Sequence, residues 1–380
     1  MRVLLTAAPS IGHIVPMLGV ATALRDAGHE VRLATHASGH DLALHAGLDV
    51  IAAGMSEADM LAERRHRWPD TEHQPPSAWG VRMFTQILAP AMIRDLRSIV
   101  EDWHPQLLIH EEGEYAGPLA AATAGIPCVT HGWGSPLRSV ADLTALEVDA
   151  APLWDAAGVD MPAAAGLYRD GLLNPCPAFL QAHPPGAAAS WPVRPTGLPS
   201  RHSQDAPADE VGRLGPLAYV GFGTVAHFAD APDEIRAAVT AVVNSGLGAV
   251  VTTTDDSLRG ELLDAHPAGV ELRSFVEFRE LFPTCRLVIS HGGAGTVLAA
   301  LAAGAPLVLL PRGAPSQRRM ADACTRAGLG RLATVADIHH VVPAVLNDDL
   351  ITRRCADAAA YLAAMPPPVS AVPALERLVR

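Results

Sequence analysis

The sequence predicts an α/β protein made of two doubly wound parallel sheets in tandem, each covered by helices. Three observations carry that expectation. The chain has 380 residues, beyond the size at which a single core stops growing. Short apolar runs alternate with helical segments twice over, separated by a passage rich in proline. In the second half, an apolar strand runs straight into a glycine-rich loop that opens into another apolar helix.

In the first half, strands are expected over residues 2–7, 31–35, 50–52, 107–110 and 128–130. Helices are expected over 14–27, 42–45, 78–102 and 116–124. Gly28, Gly47 and Gly125 stand just past three of these helices, where a left-handed cap needs glycine. Pro184, Pro185, Pro192, Pro195, Pro199, Pro207 and Pro216 then punctuate a stretch with no clear period, which reads as a linker. Beyond it the alternation restarts, with strands at 217–221, 249–253, 270–273, 287–290, 307–310 and 330–333. The helices there are expected at 233–245, 258–266, 297–303, 316–327 and 336–346. The expected division is 1–200 for the first domain, 201–216 for the linker and 217–365 for the second domain. A C-terminal helix within 366–380 is expected to pack back on the first domain.

Composition narrows the function. Hydrophobic residues make up 49% and charged residues 18%, which suits a globular protein with ample core. Lys plus Arg number 28 against 40 Asp plus Glu, a formal charge of −12. No basic run is present to neutralise a phosphate backbone, so nucleic acid is not expected as a partner. The five cysteines show no C-x-x-C spacing and give no zinc signature. His36, His40 and His45 have helical spacing but no carboxylate or thiol beside them, so no metal site is expected. Pro9, Gly12 and His13 cut the apolar N-terminus too early for a signal peptide, and no apolar run is long enough for a bilayer. A cytoplasmic protein, not integral to a membrane, is the expectation.

In doubly wound sheets the first and fourth strands lie side by side, and ligands bind beyond their carboxyl ends. Those ends carry residues 9–16 and 110–114 in the first half, and 221–224 and 291–296 in the second. The last of these is the most informative. Gly292, Gly293 and Gly295, with Ala294 between them, let the backbone turn sharply, and a helix starting near Thr296 aims its amides at the same spot. Such a place holds phosphate, and His291 and Thr296 add side-chain donors. The segment Gly221-Phe222-Gly223-Thr224, with Ala226, also meets G-x-G-x-x-A, a weak dinucleotide fingerprint. No acid follows at the ribose-binding distance, because Asp255 and Asp256 come too late.

Together, Gly12-His13-Ile-Val-Pro16, the Gly223-Thr224 loop, His291-Gly-Gly-Ala-Gly-Thr296 and the closing Met365-Pro-Pro-Pro368…Leu375-Glu376 segment resemble a known family. It is the family 1-type inverting, nucleotide-sugar-dependent glycosyltransferases of GT-B fold, with two facing Rossmann-like domains and an interdomain cleft. More narrowly, the chain resembles the actinobacterial enzymes that glycosylate polyketide, enediyne and macrolide aglycones in antibiotic biosynthesis. The resemblance implies a general base at His13, at the head of a helix that Pro16 is well placed to start. It also implies an acid partner, for which Glu111 is favoured and Glu112, Glu114 and His110 compete. Relatives carry Asp where this chain has Glu111.

On the donor side, the resemblance implies that Gly12, Gly223, Thr224 and the loop from His291 to Thr296 contact the nucleotide diphosphate. Phe275 would stack on the base, with Val276 reading its edge. Pro315-Ser316 stands where relatives with hydroxyl-rich sugars place Asp-Gln, which points to a deoxysugar, with Ser316 and Gln317 still at the donor. Trp79, Met83, Phe84 and Trp133 are the acceptor candidates, and Trp68, Trp154 and Tyr168 are weaker ones. The co-substrate would be dTDP- or UDP-linked, with dTDP favoured, with no further cofactor. The acceptor would be a small hydrophobic aglycone. A homodimer and a helper protein are both compatible with the sequence. Two alternatives stand beside this reading: a nicotinamide-dependent oxidoreductase using the Gly221 loop, and a partner-dependent or non-catalytic homologue.

Overall fold

The computed structural model describes residues 1–181, 189–197, 215–223, 231–253 and 255–380. The chain divides into two compact units. One comprises Met1–Pro199 with Met365–Arg380, and the other Ser200–Ala364. Most of the expected linker, including Pro207, lies outside the described residues.

The first unit is built on seven parallel strands in the order β3-β2-β1-β4-β5-β6-β7. They are β1 (Arg2–Thr6), β2 (Glu30–Thr35), β3 (Asp49–Ala52), β4 (Leu107–Glu111), β5 (Cys128–His131), β6 (Leu172–Asn174) and β7 (Ser190–Pro192). β4 is buried along its whole length, as a strand covered on both faces must be. β1 and β4 pair in parallel, with Thr6 opposite His110. The ends of these two strands therefore deliver the loops after Thr6 and Glu111 to one edge.

Six parallel strands form the second unit, in the order β10-β9-β8-β11-β12-β13. They are β8 (Leu217–Gly221), β9 (Gly248–Thr252), β10 (Val270–Arg273), β11 (Cys285–Ser290), β12 (Leu307–Leu309) and β13 (Gly330–Leu332). β8 and β11 pair with Gly221 opposite Ser290, so the same switch point recurs. Both sheets bear out the α/β, doubly wound expectation.

Several local expectations are corrected. The first helix is Ile11–Asp26, because Ser10 is extended and the helix begins directly after it. His13 therefore lies in the first helical turn, and Pro16 sits inside the helix rather than starting it. The segment expected as one helix over 78–102 is Gly80–Met83, a π-turn at Phe84–Leu88, then Ala89–Trp103. Helices at Glu57–Arg67, Val140–Ala157 and Asp349–Ala364 were not expected. Nor was β7, which falls in the proline-rich passage; Pro192 is tolerated there because β7 is an edge strand.

The C-terminal stretch belongs to the first unit for a packing reason. Ala371, Val372 and Leu375 join Val3, Leu5, Ile14 and Met17 in one core cluster. The backbone N–H of Arg194 also donates to Pro366 O at 2.7 Å.

Candidate functional site

In the first unit, the site is assembled from the ends of β1 and β4. Nδ1 of His13 lies 2.7 Å from Oε1 of Glu111. Glu111 is fully buried, while the His13 side chain keeps 17% exposure. Among the described residues the carboxylate has four partners. Oε1 also accepts from Ala8 N at 3.3 Å, and Oε2 accepts from Gly113 N at 2.5 Å and Trp133 Nε1 at 2.6 Å. Burial pushes the carboxyl group upward, but the imidazole's charge and hydrogen bond, with the Gly113 and Ala8 amides, hold it below its ordinary value.

For His13, burial opposes the charged form. The Glu111 carboxylate outweighs burial by charge and hydrogen bond, Glu57 adds to the pull, and the imidazole is raised above its ordinary value. An ionised Glu111 is acceptor-only, so Nδ1 carries the proton it donates. Nε2 is then the basic nitrogen, and among the described residues no group hydrogen-bonds to it. Phe84 and Trp133 flank the ring, with centroids 5.4 and 4.9 Å away, the latter edge-on at 70°.

The competing acids are buried rather than solvated, and each is committed elsewhere. Glu112 Oε1 accepts from Tyr168 Oη at 2.9 Å and lies 3.5 Å from Arg138 Nε. Glu114 accepts from Ala116 N at 2.6 Å and Gly117 N at 2.9 Å, capping the helix Ala116–Ala124. Burial pushes Glu114 up to about 7 against those donors. His110 lies 2.8 Å from both Glu114 O and Thr130 Oγ1, and burial lowers it to about 4. Of the four candidates, Glu111 is the one bonded to His13.

The acceptor candidates separate by position. Trp79 and Met83 are buried with Ala8, Met60, Ile87 and Leu88 in a small satellite cluster. Arg64 lies over the Trp79 ring at 4.5 Å and is itself 5% exposed. Phe84 and Trp133 lie against the His13 ring. Trp154 is fully buried, and Tyr168 is used by Glu112. Trp133 also bonds Glu111, which no sequence motif signals. The one available clue was Gly113, whose absent side chain makes room for that ring.

In the second unit, β11 ends at Ser290 and the helix Ala294–Ala302 begins four residues later, earlier than Thr296. Gly293 is its N-cap, with no side-chain cap bond, and a helix start of this kind can take an anion on its first amides. Gly292 takes φ +88°, where a side chain is strained, and a Cβ there would meet Gln317 O at 3.0 Å. A Cβ on Gly223 or Gly293 would strike the His291 ring at 2.8 or 2.6 Å, so the imidazole is wedged between two glycines. Burial, then the Arg312 charge, lower His291 to about 4, so it is neutral at pH 7.

Thr296 and His291 are each 8% exposed. Gln317 is buried, and its Oε1 accepts from Arg312 N at 2.8 Å, tying the loop after β12 to its helix. Arg312 pairs with Glu234, a contact the sequence did not suggest. Ser316 follows Pro315 in the first turn of the helix Pro315–Ala327. Phe275 is 49% exposed on the loop after β10, so it is not a core residue, and Val276 beside it is buried. Gly12 lies at the second position of the first helix, with open space where a Cβ would stand. Thr224 and Ala226 lie outside the described residues.

Two parallel doubly wound units, one bringing His13 and Glu111 together at the ends of β1 and β4 and the other running from β11 through a glycine loop into a helix, have the architecture of the GT-B class. Residues 22–153 match the family described as erythromycin biosynthesis protein CIII-like, N-terminal domain, and residues 244–378 match its C-terminal domain. The chain is 32% identical over 339 residues to an L-demethylnoviosyl transferase of Streptomyces niveus, covering 82% of this chain and 79% of that one. It is similar to the solved glycosyltransferase SnogD of Streptomyces nogalater, with a TM-score of 0.76, 26% identity and coverage of 100% and 99%. The SsfS6 glycosyltransferase of Streptomyces sp. SF2575, solved with thymidine diphosphate, shares the fold at TM-score 0.75 and 24% identity, with 99% of each chain covered. The protein belongs to this EryCIII-like family of actinobacterial natural-product glycosyltransferases, enzymes that move a sugar onto a secondary-metabolite aglycone. That membership displaces the oxidoreductase alternative. Among the described residues no single helix is long and apolar enough to cross a membrane.

Proposed function

We propose that this protein transfers a deoxysugar from a dTDP-linked donor to a hydrophobic aglycone hydroxyl, with inversion at the anomeric carbon. The observation that carries the proposal is the 2.7 Å bond from His13 Nδ1 to a buried, fully hydrogen-bonded Glu111, which leaves Nε2 as the base. Nε2 takes the acceptor's hydroxyl proton as that oxygen attacks the anomeric carbon, and the carbon–oxygen bond to the diphosphate breaks. Glu111 keeps the tautomer and stabilises the imidazolium that results. The amides opening the helix Ala294–Ala302, with Thr296 and Thr224, take up the charge developing on the diphosphate, so this step does not call on a metal. Phe275 offers an exposed ring for the base, and Val276 the adjoining backbone.

The dTDP preference is supported by the thymidine diphosphate held by SsfS6, a relative in fold. The deoxysugar preference is supported by Pro315, which brings no side-chain acceptor, and by Gln317, whose Oε1 is already bonded. A sugar lacking the matching hydroxyls would leave no polar group unpaired there. Thermal-shift measurements with dTDP, UDP, GDP and NAD test the donor half without knowledge of the acceptor. Protection by dTDP above the others is expected. Protection by UDP alone, or by NAD alone, contradicts the donor assignment.

A further inference from the structure

We infer that Trp133, besides walling the acceptor side, is the positioning residue that holds Glu111 in register with His13. The inference rests on the base–acid reading above and deepens it. A glutamate side chain has one more rotor than an aspartate, so its carboxylate needs additional anchors to stay at one point. Here the anchors lie on Oε2: the indole N–H of Trp133 at 2.6 Å and the amide of Gly113 at 2.5 Å. The same indole meets the His13 ring edge-on at 4.9 Å, so one side chain touches both members of the pair.

The surroundings are shaped to keep that indole in place. A Cβ on Gly113 would lie 2.4 Å from Trp133 Cζ2, so residue 113 has to be glycine for the ring to reach Glu111. Beyond the ring, the Arg138 guanidinium lies 6.0 Å from its centroid. Arg138 is 7% exposed and is fixed in turn by Glu112, which accepts from Tyr168. A cation over an indole holds the ring's orientation by its quadrupole. Glu112, Arg138 and Tyr168 thus act on the ring, while Glu111 and Glu57 act on the charge of His13.

The test is an NMR titration of the His13 ring in the substrate-free enzyme, comparing wild type with Trp133→Phe. Phenylalanine keeps an aromatic wall but removes the N–H. A Glu111 released from its anchor spends less time on His13, so the imidazole pKa is expected to fall by about one unit. In turnover, kcat is expected to fall about tenfold with the acceptor KM nearly unchanged, a loss of base catalysis rather than of binding. An unchanged or raised His13 pKa, or a change confined to acceptor KM, overturns the inference. Should Trp133→Phe not fold, the indole N–H resonance of Trp133 serves instead. It is expected downfield in wild type and displaced upfield in Glu111→Gln, and an unmoved resonance overturns the inference. Because the titration contains no substrate, a His13→Ala enzyme that still transferred sugar would remove the base reading while leaving this result standing.

Discussion

The imidazole of His13 is pulled two ways: burial disfavours its charge, and the Glu111 carboxylate restores it. A base whose pKa lies above its ordinary 6.5 gives kcat/KM that rises with pH through that raised value and then levels off. In Glu111→Gln the charge is gone and burial remains, so the rising limb should move to lower pH while the plateau drops, about 10²-fold for a base left without its partner. A pH–rate profile checks both, and a limb that stays in place would separate Glu111 from the chemistry. His110 and His131 work on stability instead. Burial lowers each to about 4, so the unfolded chain binds more protons than the folded one between about 4 and 6.5. Stability should therefore fall as pH is lowered through that window. His291, also lowered to about 4, adds to that slope, while Glu114, raised to about 7, acts the opposite way from its ordinary 4.5 upward. Denaturant midpoints across pH 4–7 read the balance, and His110→Asn should flatten the slope. The resemblance favoured Glu111 over Glu112 and Glu114, and the structure pairs it with His13, but no local signal in the sequence separates the three. Three carboxylates within four residues look alike until the backbone sends each to a different partner.

Strand-to-glycine-loop-to-helix signatures were legible because glycine and apolar burial are strong local constraints. β8 and β10 have the expected bounds, and the other expected strands differ by one or two residues. What escaped detection had weak local signals. β6 and β7 are three residues each, and Pro192 hides the latter. The helix Val140–Ala157 exposes Val140 and Val148 at 74% and 71%, which blurs the apolar stripe by which helices are recognised. The helix Glu57–Arg67 buries little beyond Met60 and Arg64, so its charged sequence reads as loop. In the glycine loop, the left-handed φ of Gly292 and the 3.0 Å approach to Gln317 O make a specific demand. Gly292→Ala should cost about 1–2 kcal/mol of stability and weaken dTDP binding together, because one turn serves both. Chemical denaturation and calorimetric titration measure the two effects. Loss of stability with unchanged dTDP affinity would mean the loop's shape is not what holds the nucleotide.

The chain passes from the first unit to the second and returns, placing residues 365–380 in the fold with which it began. Leu375 is fully buried in the core cluster of β1 and the first helix. Leu375→Ala should cost about 2–5 kcal/mol, and with the donor loop in the other unit, dTDP affinity of the folded fraction should be unaffected. Differential scanning calorimetry with and without dTDP distinguishes these effects. The division of labour between units also sets the most direct test of the catalytic account, which is to measure sugar transfer and dTDP affinity side by side in His13→Ala. The account predicts that transfer falls by at least about 10²-fold while the dTDP dissociation constant stays within about threefold of wild type. Retained transfer, or an equal loss of both, would contradict it and leave His13 with a structural role.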